Sequence, residues 1–373
     1  MQQPAQPFLP LEHVSHNCRS ARFSHSRYWV RLFQTVTVLV CMASTGTAAQ
    51  SSSADAQTLL RKAQASLAAG NFAEAIQTFE HARRLAPDRL EATRGLLLSY
   101  LEAGDLAPAA TIGRSAVERW PQDAQLHHWL GLAYFKTGQN EQAIEELKRA
   151  AQLETANFDI HFDFALVLLS EKQYPSAADE LQKALKIKPS NALAHVLIGR
   201  AYQNSNRTLE AVEQFQIALR LDPKIALGHY HLGFAYASLG KNHEAIAEYE
   251  KEMAHSPENP DLVYELGHSL LETGDWKSAV VHLRRATHLN PQNAESFYDL
   301  GKTLLLQGDP QAAIPALRRA IGLNPRDPSP HYQLARSLDK IGNVTEAKQE
   351  WQRFSDLRKS QQESGGMATG RVH

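Results

Sequence analysis

Histidine, the commonest metal-binding side chain, recurs in this chain at a regular spacing. One histidine stands at the same point of five 34-residue intervals: His127, His161, His195, His229 and His331. Helices that pack side by side lie about 8–10 Å apart, whereas a zinc–nitrogen bond is about 2 Å long. Within residues 56–361 no two histidines lie three or four residues apart on one helix face. The spacing therefore favours half-buried packing histidines over a metal site.

Two short strings imitate catalytic motifs. Gly-Lys-Thr at 301–303 resembles the end of a phosphate-binding loop, but Ser296 stands in place of that loop's first glycine and no strand precedes it. His-Glu at 243–244 begins like a zinc-protease helix, yet Ala247 replaces the second histidine. The chain also lacks a nucleophilic serine elbow, a glycine-rich dinucleotide loop and a paired cysteine motif. The sequence therefore predicts no catalytic residue, no cofactor and no metal ligand.

These residues belong to a 34-residue period that runs nine times from Ala56 to Gln361 without insertion or deletion. Positions are numbered here from the first residue of each repeat. Apolar residues recur every three or four places, position 8 is small, a glycine usually follows the first segment, and proline usually occupies position 32. This pattern predicts two antiparallel helices per repeat. Units of this kind stack because each needs a neighbour to bury its apolar face, so we expect an all-α protein.

Repeats three and six show the recurring residues of this unit clearly. These are Trp129, Leu130, Gly131, Tyr134, Gly138, Ala143 and Ala150 in repeat three, and Leu232, Gly233, Tyr236, Gly240, Ala245, Tyr249 and Pro257 in repeat six. In this register the chain resembles the tetratricopeptide repeat (TPR) family over residues 56–361. The resemblance implies a right-handed superhelical solenoid of nine helix-turn-helix repeats, with the first helices lining a concave groove. It also implies a non-enzymatic scaffold that binds a protein or peptide. By the same resemblance, each position-4 histidine takes the place of the large aromatic residue that is usual in the family.

The resemblance places positions 2, 5, 6, 9, 12 and 13 of each repeat on the groove. The residues predicted to contact a partner are Leu98, Trp129, Leu132, Phe135, Phe162 and Leu166 in an apolar zone (repeats two to five), and Tyr230, Tyr264, His268, Tyr298, Lys302, Tyr332 and Arg336 in a tyrosine-lined zone (repeats six to nine). Asp261, Glu265, Asp299 and Asp339 add negative charge to the tyrosine-lined zone. Apolar patches left in water usually mark partner sites, so the apolar zone is expected to take an amphipathic helix or an extended peptide, and the tyrosine-lined zone to fix its register.

Three alternatives to this interpretation stay open. Neighbouring first helices could bury much of the lining among themselves, since the family itself favours an aromatic residue at position 5. The tyrosine-lined zone could instead carry a small hydrophobic ligand or a glycan. The chain could also be an accessory subunit of an envelope enzyme. Nucleic acid is not an expected partner, because residues 50–373 hold 35 basic and 39 acidic residues.

The first 49 residues are predicted to be a signal peptide or another targeting segment. Four arginines precede an apolar run from Leu32 to Ala43, and small residues follow it. The run is shorter than the roughly 20 apolar residues that span a bilayer. Export to a bacterial periplasm or the extracellular space is therefore expected, with cleavage after Ala49. A membrane anchor at residues 30–45, an organellar transit peptide and a misassigned start are the alternatives.

The rest of the chain divides simply. Residues 50–55 are predicted to be a linker, residues 56–361 the nine repeats, and residues 362–373 a flexible tail. Both cysteines, Cys18 and Cys41, precede the repeats, so the repeats can hold neither a disulfide nor a thiolate nucleophile.

Overall fold

A computed structural model describes residues 47–369 of the chain, with side chains from 54 to 363. Within that part the structure contains eighteen α-helices and no strand. The predicted targeting segment lies outside the described residues, apart from 47–49. The chain divides into two compact units, Met1–Pro189 and Ser190–His373, and the helices are numbered along both.

The described part of the first unit consists of four consecutive helix pairs. Its helices are α1 Thr47–Ala68, α2 Phe72–Leu85, α3 Leu90–Ala103, α4 Leu106–Arg119, α5 Ala124–Lys136, α6 Asn140–Leu153, α7 Phe158–Ser170 and α8 Tyr174–Ile187. Each odd-numbered helix packs against the helix that follows it, and each pair packs against the next pair.

The described part of the second unit continues the arrangement with five pairs. Its helices are α9 Ala192–Gln203, α10 Thr208–Leu221, α11 Gly228–Ser238, α12 Asn242–Met253, α13 Pro260–Thr273, α14 Trp276–Leu289, α15 Ala294–Leu306, α16 Pro310–Leu323, α17 Pro328–Lys340 and α18 Val344–Thr369. The predicted all-α class and the consecutive pairing of helices are thereby confirmed, and nine pairs are consistent with nine repeats.

Short polar side chains begin the first helix of several repeats. Asp123 accepts a hydrogen bond from the Leu126 N–H at 2.9 Å at the start of α5, and Asn293 accepts one from the Ser296 N–H at 3.0 Å at the start of α15. Each bond satisfies one of the backbone donors that a helix N-terminus leaves free. At the other end of α13, Gly274 adopts a left-handed conformation with φ +84°, which ends the helix at little steric cost.

Close approach of the two helices in a pair depends on the small residue at position 8. A Cβ atom on Gly199 would lie 2.6 Å from the Phe215 ring, and one on Gly131 would lie 2.7 Å from Leu147. The position-24 side chains occupy this space, and the following are at most 1% exposed: Phe79, Leu147, Leu181, Phe215, Tyr249, Leu283 and Leu317. The alternation of small and large residues in the sequence thus becomes the core of each pair.

Both ends of the described part differ from the sequence prediction. Helix α1 begins at Thr47, so residues 50–55 are helical where a linker was predicted, because neither proline nor glycine interrupts the chain before the end of α1. Helix α18 continues to Thr369, so the backbone of residues 362–369 is helical where a flexible tail was predicted.

Repeat six departs from the pattern at Glu252, which occupies a position where most repeats have alanine. The Glu252 side chain is buried, and its carboxylate accepts a hydrogen bond from the Tyr230 N–H at 3.4 Å in the first turn of α11. Helix α11 has only 11 residues and follows Leu227, whose φ is +59°. A left-handed residue other than glycine costs about 1–2 kcal/mol. The start of α11 is therefore a locally strained point.

Candidate functional site

Each position-4 histidine forms a hydrogen bond across its own helix pair, from ring Nδ1 to the side chain 19 residues later. The N–O distances are 2.5 to 2.8 Å in the pairs His127–Glu146, His161–Glu180, His195–Gln214, His229–Glu248 and His331–Glu350. His161 also donates from Nε2 to the Thr155 carbonyl at 3.1 Å. These histidines therefore lie in the packing, as predicted, but as polar links between two helices rather than as substitutes for an aromatic ring.

A correlation inside the sequence could have revealed these pairs. Position 23 is Glu or Gln in every repeat that has His at position 4, whereas the other four repeats have Thr78, Ile112, His282 and Ala316 there. Wherever position 23 is Glu, position 26 is Lys or Arg. In repeat four, Lys183 Nζ donates to Glu180 Oε1 at 2.7 Å. Positions that vary together are typically in contact.

In the first unit, the predicted groove residues lie on three first helices and are all half-buried. They are Leu98 on α3, Trp129, Leu132 and Phe135 on α5, and Phe162 and Leu166 on α7. The Phe162 ring stacks on Phe158 with centroids 5.3 Å apart. At positions 5 and 6 of the lining, His128 Nε2 on α5 lies 2.8 Å from Asp163 Oδ2 on α7, and both side chains are buried. Neighbouring first helices thus bury part of each apolar side chain and leave the rest in solvent.

In the second unit, Tyr230 on α11 is only 2% exposed. The other predicted residues are half-buried: Tyr264 and His268 on α13, Tyr298 and Lys302 on α15, and Tyr332 and Arg336 on α17. The Tyr332 ring lies 5.3 Å from the rings of both Trp351 and Phe354. The predicted lining residues therefore lie on successive first helices in each unit, and Tyr230 contributes the least surface.

Asp299 holds two of these residues in place. The Tyr264 hydroxyl donates to Asp299 Oδ2 at 3.1 Å, and His268 Nδ1 donates to the same oxygen at 2.8 Å. Burial opposes protonation of His268, but the hydrogen bond to Asp299 and the charge of its carboxylate outweigh it and raise the pKa of His268 to about 9. His268 is therefore a cation at neutral pH. Burial, reinforced by the charge of Asp299, raises the pKa of the Tyr264 hydroxyl.

A second charged pair lies beside this group. Lys302 Nζ on α15 donates to Glu272 Oε1 on α13 at 3.2 Å. Burial opposes the charge of Lys302, but the carboxylates of Glu272 and Asp299 raise its pKa. Lys302 thus remains charged while it links two first helices.

Glu265 was noted in the sequence only for its charge, and the structure gives it a distinct environment. It lies on α13 and is 7% exposed. Burial, together with the negative charges of Glu295, Asp261 and Asp299, raises the pKa of Glu265 to about 7, although the charge of His268 acts in the opposite direction. A buried carboxylate of this kind is typical of functional sites. The repeat pattern did not single out Glu265, because position 6 is not acidic in most repeats.

No helix within residues 47–369 is long and apolar enough to cross a membrane. The apolar run at 32–43, on which the targeting prediction depends, lies outside the described residues.

The helix pairs and their variable linings define a repeat protein of stacked two-helix units. Family models bear this out: one described as a tetratricopeptide repeat matches residues 60–124, 196–260 and 264–328, more than half of the chain. A second, described as a TPR repeat, matches residues 131–171 and 165–206, and a third, described as a tetratricopeptide repeat, matches 304–354. The chain belongs to the tetratricopeptide repeat family. No curated protein matches the sequence.

Two solved structures show the same fold at low identity. The crystal structure of the APC/C hetero-tetramer Cut9–Hcn1 matches with a TM-score of 0.50 and 18% identity over 75% of this chain and 55% of that chain, so this chain spans about half of its length. The C-terminal part of a TPR repeat-containing protein from Cytophaga hutchinsonii matches with a TM-score of 0.53 and 18% identity over 65% of this chain and 99% of that one. YrrB, described as a TPR protein with an unusual peptide-binding site, matches with a TM-score of 0.45 and 22% identity over 51% of this chain and 97% of its own.

Proposed function

We propose that this protein is a non-enzymatic scaffold that binds a segment of a protein partner along its first helices. The observation that carries the proposal is the lining of the first unit, where α5 and α7 present large apolar side chains that are only partly buried: Trp129, Leu132, Phe135, Phe162 and Leu166. Partly exposed apolar side chains on neighbouring helices suit the apolar face of an amphipathic helix or the alternate side chains of an extended peptide. Scaffolding by protein or peptide binding is also the general activity of the family.

The tyrosine-lined zone of the second unit supports the same function by a different chemistry. Its tyrosines combine apolar rings with hydroxyl groups, and Lys302, His268 and Arg336 add charge among them. Aromatic and arginine side chains are enriched in the energetically important parts of protein interfaces. The net charge of −4 on residues 50–373 supports a protein partner rather than a nucleic acid.

The proposed location is outside the cytoplasm. It rests on the arginine-rich start, the short apolar run and the small residues that follow, all within residues 1–49. Cell fractionation combined with N-terminal sequencing of the mature protein would test it. A mature protein that still began at Met1 in the cytoplasmic fraction would contradict it.

Selection of binding peptides tests the scaffold function directly. Full-length protein would select from a random 12-residue peptide library, and the affinities of the selected peptides would be measured by titration calorimetry. Replacing Trp129, Phe162 and Leu166 together by serine should weaken peptides that bind the first unit at least tenfold, because several anchors are lost at once. The matched control replaces Leu209 and Val281, which are 69% and 63% exposed on second helices, by serine.

Two results would contradict the proposal. Failure to select any peptide would argue against the scaffold function itself. Equal affinity for wild type and the triple variant, with circular dichroism showing that the variant folds, would argue against the apolar lining as the binding surface.

A further inference from the structure

The first helices of successive repeats are joined by side-chain bonds from position 5 of one repeat to position 6 of the next, 35 residues later. In the first unit His128 pairs with Asp163 at 2.8 Å, and in the second Tyr264 donates to Asp299 at 3.1 Å. In both cases an acid at position 6 is satisfied by a donor at position 5. A buried carboxylate needs such a donor, because burial without a hydrogen bond costs free energy.

Glu265 is the exception to this arrangement. The residue 35 places before it is Tyr230, which has the right type and position to donate, yet no hydrogen bond joins the two side chains. Among the described residues no hydrogen-bond partner is found for the Glu265 carboxylate, although the residue is only 7% exposed. The oxygens of Glu265 keep a small contact with solvent, and the charge of His268 offsets part of the cost of burial, but no hydrogen-bond donor of the described residues reaches them.

A second polar group near Glu265 is also unsatisfied. The hydroxyl of Tyr249, on α12, is fully buried and has no hydrogen-bond partner among the described residues. Burial, and then the charges of Glu265 and Tyr230, raise the pKa of this hydroxyl well above its usual value, so that it stays protonated. The Tyr249 and Tyr230 rings lie 6.0 Å apart between centroids. Two tyrosines and an unpaired carboxylate thus converge between α11, α12 and α13.

The charges around Glu265 decide which ligand would suit it. The titratable groups that face it are Tyr230 from α11, Tyr249 from α12, Asp261 and His268 from α13, and Glu295 and Asp299 from α15. With Glu265 ionised, four carboxylates oppose two cations, the His268 imidazolium and the guanidinium of Arg200 on α9, whose charge acts on Tyr230. The local field therefore favours a cation and disfavours an anion.

We propose that Glu265, with the hydroxyls of Tyr230 and Tyr249 beside it, is the anchor for a lysine or arginine side chain of the protein partner. The ammonium or guanidinium group supplies the donors that the carboxylate lacks. The His268 ring donates its Nδ1 hydrogen bond to Asp299, so it gives Glu265 a nearby positive charge but no hydrogen bond. This inference rests on the proposed peptide-binding function and names the partner group that the second unit recognises.

The test combines peptide and protein variants. Peptides selected on the full-length protein would be resynthesised with each lysine or arginine replaced in turn by methionine, and bound to wild type, Glu265→Gln and the matched control Glu272→Gln. The control removes the same charge from a nearby acid that is bonded to Lys302. We expect one basic residue whose replacement weakens binding to wild type and to Glu272→Gln at least tenfold, and has no effect on binding to Glu265→Gln.

The pH dependence of the wild type gives a readout that needs no variant. The bound cation favours ionised Glu265, so affinity should rise about tenfold from pH 6 to pH 8 as the acid ionises around pH 7, while His268 stays charged. A flat profile would overturn the inference, as would peptides without an essential basic residue, or a basic residue that contributes equally in Glu265→Gln. In those cases the peptides still bind and the scaffold function survives, whereas an empty selection would remove both.

Discussion

Replacing His161 by phenylalanine would show whether the histidine–glutamate pairs hold the two helices of a repeat together. The side chains of His161 and Glu180 are 2% and 11% exposed, so the change leaves a buried carboxylate without the donor that lies 2.6 Å away. A wholly unpaired buried ion costs about 3–5 kcal/mol. Lys183, however, still donates to Glu180 at 2.7 Å from a half-exposed position. We therefore expect the local free energy of unfolding of α7 and α8 to fall by about 2 kcal/mol.

The compensating change is Glu180→Ala, because the double variant reproduces the Phe297 and Ala316 combination that repeat eight already uses. The double variant should lose less unfolding free energy than the two single variants together, by at least about 1 kcal/mol. Native-state hydrogen exchange of the α7 and α8 amides measures these losses, since stacked repeats need not unfold in one step. Single losses that add to within about 0.5 kcal/mol would refute the reasoning.

Two further measurements check the same pair. His195→Phe is a matched control, because its partner Gln214 is an uncharged amide, and its loss should be only about 1 kcal/mol. Burial opposes ionisation of Glu180, but hydrogen bonds from His161 and Lys183 lower its pKa below 4.5. Because the pKa of Glu180 is lower in the folded protein than in the unfolded chain, ionised Glu180 stabilises the fold above the unfolded pKa. This stabilisation is lost as the pH falls through the folded pKa. The difference in local unfolding free energy between wild type and His161→Phe should therefore have its full size at pH 7 and become smaller below pH 4.5.

Two more predictions concern stability. The pKa of Glu265 is about 7 in the folded protein and 4.5 in the unfolded chain. Protonated Glu265 therefore stabilises the fold fully below pH 4.5, and this stabilisation is lost as the pH rises through 7. Between pH 5 and pH 8 the free energy of unfolding of Glu265→Gln, measured by chemical denaturation, should therefore rise by about 2 kcal/mol relative to that of wild type. Unfolding free energies with the same pH dependence in both proteins would contradict this. Gly199→Ala should cost about 1–3 kcal/mol because its methyl group would overlap Phe215, whereas Gly322→Ala, which meets nothing within 4 Å, should stabilise α16 by about 0.5 kcal/mol. If Gly199→Ala and Gly322→Ala shifted the thermal unfolding midpoint in the same direction, this account of helix packing would be excluded.

Much of the fold could be predicted because the repeat makes local and tertiary signals coincide. The small residue at position 8 and the bulky one at position 24 recur in register, and the structure packs them together, as at Gly199 and Phe215. The linker predicted at 50–55 was wrong because composition alone marks a boundary poorly where no helix breaker stands. The strained start of α11 could not be predicted, since it depends on where the buried Glu252 carboxylate finds a backbone donor.

The candidate site was less predictable. Lining positions followed from the register, and the structure places them on successive first helices in each unit. The histidines were placed in the packing correctly, but their partners at position 23 were missed, although positions 4 and 23 vary together in the sequence. Glu265 was overlooked as a site residue because its type is ordinary and only its lack of a donor sets it apart.

The sequence by itself determined the helix pair, its period and the residues that the repeat leaves free to vary, because helix periodicity and residue size act within one unit. The tertiary structure alone decided which of those free positions are paired. Asp299 receives two donors from α13, while Glu265, at the same position one repeat earlier, receives none from the residues that the structure describes. Hydrogen bonding and desolvation depend on atoms supplied by neighbouring repeats, and no pattern within a single repeat contains that information.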